Sequence, residues 1–164
     1  MRYLRSTRGF TLVEVLIAVA VFAVLGTMTT VIMVGVLQGA KKAAAVALVK
    51  NEGGRVINIM TQMLKFSTSV TACGGNSVTF QPRADASNPA VFACVNDGGG
   101  KYHIASNSAS LTSDRVEMTS CIISCDAPVK QVNVNFTVQM KGTAFVSEKA
   151  TTQFQTQIGL RNRE

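Results

Sequence analysis

The 164-residue chain has room for about one ordinary domain, and its formal charge of +7 raises the question of a nucleic-acid surface. The distribution of charge argues against one. Arg2, Arg5 and Arg8 supply three of the net charges ahead of residue 9, the other cations are scattered, and Lys41-Lys42 is the one adjacent pair, whereas nucleic-acid patches cluster Lys and Arg.

Residues 5–26 read RSTRGFTLVEVLIAVAVFAVLG. A basic, polar leader ends at Gly9, and from Phe10 to Leu37 the one charged residue is Glu14. These 28 residues, at about 1.5 Å each in a helix, exceed a hydrocarbon core of roughly 30 Å, so the segment is predicted to span a bilayer. Three arginines before it and no cation until Lys41 put the N-terminus in the cytoplasm and everything after residue 40 outside. A carboxylate in such a segment costs on the order of 2.5–3.5 kcal/mol at mid-bilayer, so Glu14 calls for an explanation. Gly35 and Gly39 form a GxxxG, which lets membrane helices approach closely, although two tolerated glycines at the membrane exit are the simpler account. A secretory signal cleaved after Ala20 (Ala18-Val19-Ala20) fits poorly, because Glu14 would interrupt a short apolar core and a 17-residue apolar remnant would follow.

Helical signals continue beyond the apolar run. The stretch QGAKKAAAVALVKNEGGRVINIMTQMLKF is rich in Ala, Lys, Leu, Met and Gln, and the first proline is Pro82. Val46, Val49, Val56, Ile59 (or Met60) and Met63 recur at helical spacings and mark one buried face. Gly53-Gly54 would cost about 1 kcal/mol each relative to Ala, which makes a kink or fray there an expectation. Taken as one element, Phe10 to Phe66 is 57 residues, about 85 Å of helix.

After Phe66 the composition shifts to Gly, Ser, Thr and Asn, with short alternating runs: SVTFQ, AVFACV, KYHIAS, RVEMTSCII, QVNVNFTVQM and TTQFQTQIGL. In 131–140 Val132, Val134, Phe136, Val138 and Met140 alternate with Asn133, Asn135, Thr137 and Gln139, as a half-buried antiparallel strand requires. GGN at 74–76, DASNP at 85–89, NDGGG at 96–100, DAP at 126–128 and KG at 141–142 supply the turns. The predicted fold class is α+β: a long N-terminal helix, membrane-spanning in its first half, packed through Val46–Phe66 against a small antiparallel sheet. The expected organisation is a leader at 1–9, a membrane segment at 10–37, its helical continuation at 38–66 and a β-rich head at 67–164.

Four cysteines, Cys73, Cys94, Cys121 and Cys125, all lie in the head, with no CxxC and with His103 as the sole histidine, so no metal signature accompanies them. Downstream of a membrane segment they read as two disulfides in an oxidising compartment. Three connectivities are open; Cys73–Cys94 with Cys121–Cys125 is favoured because both close short loops. His103 reads as a strand residue, Asp97 in NDGGG as part of an exposed turn before any cation loop, and Asn135-Phe136-Thr137 as a glycosylation sequon by pattern alone. The head offers no nucleophile–base pair, paired carboxylates or GxSxG, so no catalytic residue and no cofactor is expected.

RGFTLVEVLIAV closely resembles the prepilin processing motif of type IV pilins, type II secretion pseudopilins and competence pseudopilins. The resemblance implies that a membrane prepilin peptidase cuts after Gly9 and methylates Phe10, and that Glu14 is the family's fifth-position glutamate. It covers residues 1 to about 37 by motif and the remainder by architecture. The ending TTQFQTQIGLRNRE, with Arg161-Asn162, resembles the closing strand of minor pilins and J-type pseudopilins. Many major pilins carry a proline partway along the apolar segment; this chain has Gly26 and Gly35 instead, which favours a minor pilin or pseudopilin.

With cleavage after Gly9, a free amine on Phe10 would stand at a helix N-terminus, and Glu14 would lie about 6 Å deeper, near the positive end of the helix dipole. Its carboxylate could pair with its own ammonium or with that of a neighbouring subunit, and a paired acid in low dielectric is penalised far less than a lone one. The sequence therefore predicts a structural subunit that enters the inner membrane, is processed, and joins other pilin or pseudopilin subunits in a cell-surface or periplasmic filament. The alternatives are a single-pass anchored binding domain or enzyme, and a DNA-uptake pseudopilin, to which the thin positive charge lends little.

Overall fold

A computed structural model describes residues 9–83, 85, 87–126, 131–142 and 149–160. The leader residues 1–8, part of the DAP turn and Arg161-Asn162 lie outside the described residues. The chain divides into two compact units, Met1–Ala40 and Lys41–Glu164.

One helix, α1 (Leu12–Lys65, 54 residues), contributes to both units. It starts behind Thr11 and runs through Gly53-Gly54 without a break in its hydrogen-bonded pattern. At its end Phe66 N–H donates to Gln62 O (3.1 Å) and the Ser67 hydroxyl to Leu64 O (2.7 Å), which satisfies carbonyls that the last turn leaves open. Lys65 places a cation at the negative end of the helix dipole.

The second unit holds the core. The helix buries Ala45, Val49, Gly53, Val56, Met60 and Leu64, at spacings of three and four. Of the face read from the sequence, Val49, Val56 and Met60 are buried, while Val46, Ile59 and Met63 are half-buried flanks. The expected kink gives way to close packing. A Cβ on Gly53 would overlap the Phe154 ring, whereas one on Gly54 would meet open space. Gly53 therefore sits where helix and sheet touch, and the propensity penalty there is offset by contact.

Opposite the helix lie β1 (Ser67–Gly74), β2 (Ser77–Pro82), β3 (Ala90–Gly98), β4 (Lys101–Ser106), β5 (Ala109–Ser110), β6 (Val116–Cys125), β7 (Gln131–Met140) and β8 (Thr151–Gly159). All pairings are antiparallel, in the order β1-β2-β3-β4-β6-β7-β8, with β5 on β4. Phe80 stacks on Phe92 at 5.1 Å and Phe136 on Phe154 at 5.3 Å between ring centroids, and these rings fill the layer facing the helix. Gly75 and Asn76, both at φ 62°, close the β1–β2 hairpin in the left-handed geometry of a type I′ turn.

The sheet is not uniformly joined. β4 and β6 share the single register pair Tyr102↔Met118, so β1–β5 and β6–β8 form two ladders meeting at a narrow seam. Both disulfides cross that seam: Cys94 on β3 to Cys121 on β6 (Cα–Cα 5.8 Å) and Cys73 on β1 to Cys125 on β6 (6.2 Å). This corrects the favoured pairing of Cys73–Cys94 with Cys121–Cys125. Cys121 and Cys125 lie on one strand, and four residues at about 3.3 Å each put their Cα atoms roughly 13 Å apart, beyond the reach of a disulfide. The short sequence loop is a long distance once the segment is extended.

Candidate functional site

The candidate site is the start of the first unit. Gly9 and Phe10 are exposed and precede the helix, with Phe10 at 82% exposure. Thr11 is the N-cap: Thr11 O accepts from Glu14 N–H (3.1 Å) and Val15 N–H (3.2 Å), and Thr11 Oγ1 accepts from Glu14 N–H (3.3 Å). Glu14 is thus the third helical residue, an exposed acid in the first turn beside the unpaired N–H groups of the helix start. Thr11-Leu12-Val13-Glu14 has the spacing of a capping box, in which the acid reaches back to the N-cap N–H. Reading the stretch for apolarity alone passed over Thr11, although the Thr-x-x-Glu spacing was there to find it. The geometry gives Glu14 a local reason to be acidic before any partner arrives.

Behind this start, every large apolar side chain from Leu12 to Leu37 is exposed in the isolated chain, and the best 18-residue window reaches a mean hydropathy of 2.5. Thr27, Thr29 and Thr30 return their hydroxyls to backbone carbonyls of Val24, Leu25 and Gly26 at 2.8–3.2 Å, so these three hydroxyls are satisfied by the helix itself. Gly26, Gly35 and Gly39 have open space where a Cβ would stand. Length, composition and exposure fit membrane anchoring.

The remaining candidates lie in the second unit. The four cysteines are disulfide-bonded. His103 Nδ1 lies 2.9 Å from both carboxylate oxygens of Asp97, so the strand histidine and the turn acid of the sequence reading are partners across the β3–β4 hairpin. They border a concavity of about 360 Å³ that also takes in Lys101, Glu117 and Lys141. Lys101 Nζ, 3.0 Å from Glu117 Oε2, and Gln139 Nε2, donating to Oε1 at 2.6 Å, hold the Glu117 carboxyl below its ordinary pKa. Asn135 of the sequon lies on β7, where its Oδ1 accepts from Gln153 Nε2 (3.2 Å), and Phe136 is buried. Among the described residues no three of His, Cys, Asp or Glu gather as a metal site would need.

Residues 4–30 match the family description "prokaryotic N-terminal methylation motif", the signature of type IV pilins and pseudopilins. The match takes in Gly9, Phe10, Glu14 and the first part of the apolar helix. No curated protein and no solved structure matches the chain.

Proposed function

We propose that this chain is a minor pilin or pseudopilin: a precursor cleaved by a prepilin peptidase after Gly9, methylated on Phe10, and built into a filament with sibling subunits. The observation that carries the reading is the coincidence of the methylation motif with its physical setting. Gly9 and Phe10 are exposed ahead of a capped helix whose large apolar side chains from Leu12 to Leu37 are all exposed. A peptidase needs an accessible, extended scissile bond, and residues 9–11 precede the helix.

On this reading residues 1–9 are the leader, 10–37 the membrane segment and later filament-core helix, 38–66 its extracytoplasmic continuation and 67–164 the head. The N-terminus starts in the cytoplasm and the head outside. Two disulfides support an oxidising side for the head. Glu14 serves assembly by pairing with the N-terminal ammonium of a subunit, since burial between helices penalises a lone carboxylate more than a paired one.

The test is direct. Coexpression with a prepilin peptidase should yield a mature chain beginning at N-methyl-Phe10, and Gly9→Val should leave the precursor intact. An N-terminus at Val21, or an uncut Met1 in the presence of an active peptidase, overturns the assignment.

A further inference from the structure

Past Tyr102↔Met118 the strands β4 and β6 no longer pair, and residues 107–115 join them by way of β5. That connection is held from three elements. Leu111 N–H donates to Ile104 O of β4 (2.8 Å), Arg55 of α1 donates to Leu111 O (2.7 Å), and Asn107 N–H donates to Val91 O of β3 (3.0 Å). It stands with the starts of β4 and β6 around the concavity of about 360 Å³ at the seam. A wall fixed in this way need not be ordered on binding, which removes a cost that affinity would otherwise carry.

The lining interleaves opposite charges. Lys101 Nζ lies 3.0 Å from Glu117 Oε2 and His103 Nδ1 2.9 Å from Asp97, with Lys141 and Asp114 in the same lining. An anion entering here would meet three carboxylates. A metal ion would meet two ammonium groups, and among the described residues no three ligating side chains gather to hold it. A neutral ligand meets neither obstacle. The ion pairs also leave capacity over: a carboxylate accepts more hydrogen bonds than the two that Lys101 and Gln139 give Glu117, and the Lys101 ammonium keeps donors to spare. Ser113 Oγ, in the same lining, is buried without a hydrogen-bond partner among the described residues. Buried polar groups are ordinarily satisfied, so this one calls for a partner from outside. The half-buried Tyr102 adds the apolar surface of its ring.

We propose that this concavity binds a neutral saccharide, the terminal ring or disaccharide of a glycan. A hydroxyl both donates and accepts, so neighbouring sugar hydroxyls can bridge an acid and a base already fixed side by side. Glu117 and Asp97 accept, Lys101 and Lys141 donate, and the charge on each strengthens the hydrogen bond. Ser113 Oγ takes a further hydroxyl, and Tyr102 backs the C–H face of the ring. The volume lies near the lower bound for small-molecule sites, which suits about one or two rings and no longer chain. Every residue invoked belongs to the second unit, so the site stands or falls separately from cleavage at Gly9 and from assembly.

The experiment uses the full-length chain in phosphatidylcholine nanodiscs, because glycoside detergents would offer a competing sugar. On an array of neutral, sialylated and sulfated glycans the chain should be retained by neutral ones, and the corresponding free sugar should displace it. Ser110→Trp places an indole over the concavity from an exposed position and should weaken binding about tenfold without moving the thermal transition of the head. Glu117→Gln keeps the shape but removes the charge, and should also weaken binding about tenfold. Gln155→Ala, on β8 away from the concavity, should bind as wild type. Retention by no neutral glycan, a preference for sialylated or sulfated ones, failure of the free sugar to compete, or unchanged affinity in either the Ser110 or the Glu117 variant would each overturn the proposal. Processing at Gly9 would proceed in every case.

Discussion

On the proposed function Glu14 has two physical roles that a single substitution would confuse. At the third helical position it has the Thr-x-x-Glu spacing of a capping box with Thr11, and as a charge it would neutralise a subunit's N-terminal ammonium. Gln separates the two, because it serves a capping box as Glu does but carries no charge. If pairing governs assembly, Glu14→Gln and Glu14→Ala should both accumulate in the membrane pool and be depleted from sheared filaments, while Glu14→Asp retains partial incorporation. Head folding should be unchanged in all three, and membrane insertion should improve slightly for Ala, since the segment loses its one charge. The measurement is the ratio of assembled to membrane-pool protein. Gln at the wild-type ratio would assign Glu14 to capping alone, and Ala at that ratio would make it a tolerated polar residue.

At the scale of the element, the helix and its packing against the sheet were legible, and the role of its glycine pair was not. Helix formers, the absence of proline and a period near 3.6 were sufficient to place α1 to within two residues at its start and one at its end. The glycine pair looked like a weakness because propensity is a local quantity, whereas Gly53 is set by the Phe154 ring on a distant strand. Two neighbouring substitutions expose the difference. Gly54→Ala has open space and should stabilise the head by about 1 kcal/mol through helix propensity. Gly53→Ala gains the same propensity but drives a methyl group into a ring held by its stack on Phe136, and overpacking of this kind typically costs about 1–3 kcal/mol. Urea unfolding should move the midpoint up for Gly54→Ala and down for Gly53→Ala; a shift of the same sign in both would remove the packing argument. The six strands read from alternation are present, but β1 and β5 were passed over. β1 is an edge strand whose two register shifts destroy the period of two, and β5 is two residues long, so neither leaves an alternating signature. At the helix start the motif singled out Gly9, Phe10 and Glu14, while the capping role of Thr11 lay in a Thr-x-x-Glu spacing that a reading for apolarity overlooked.

At the scale of the molecule, the seam between the two ladders of the head explains why the cysteines are paired as they are. With Tyr102↔Met118 as the single register pair between β4 and β6, backbone hydrogen bonding alone gives the two halves little resistance to separation. The disulfides join β3 and β1 to β6, so each closes a loop that contains the seam, with sequence separations of 27 and 52. In the chain-entropy picture such loops contribute on the order of 3.5 and 4 kcal/mol, comparable with the whole stability of a small domain. Cys121 and Cys125 share a strand, so the alternative pairing would have stitched nothing across the seam. A soluble chain from residue 41, made in an oxidising compartment, should contain no alkylatable thiol, and nonreducing peptide mapping should recover Cys73 linked to Cys125 and Cys94 linked to Cys121. Replacing either pair by alanine should lower the urea midpoint substantially. The double replacement of Cys94 and Cys121 should in addition raise hydrogen exchange at β4 and β6 more than within the β7–β8 ladder, because the seam opens before the ladders do. Recovery of a Cys73–Cys94 peptide, or exchange that rises evenly over all strands, would show that the disulfides do not hold the two halves of the sheet together.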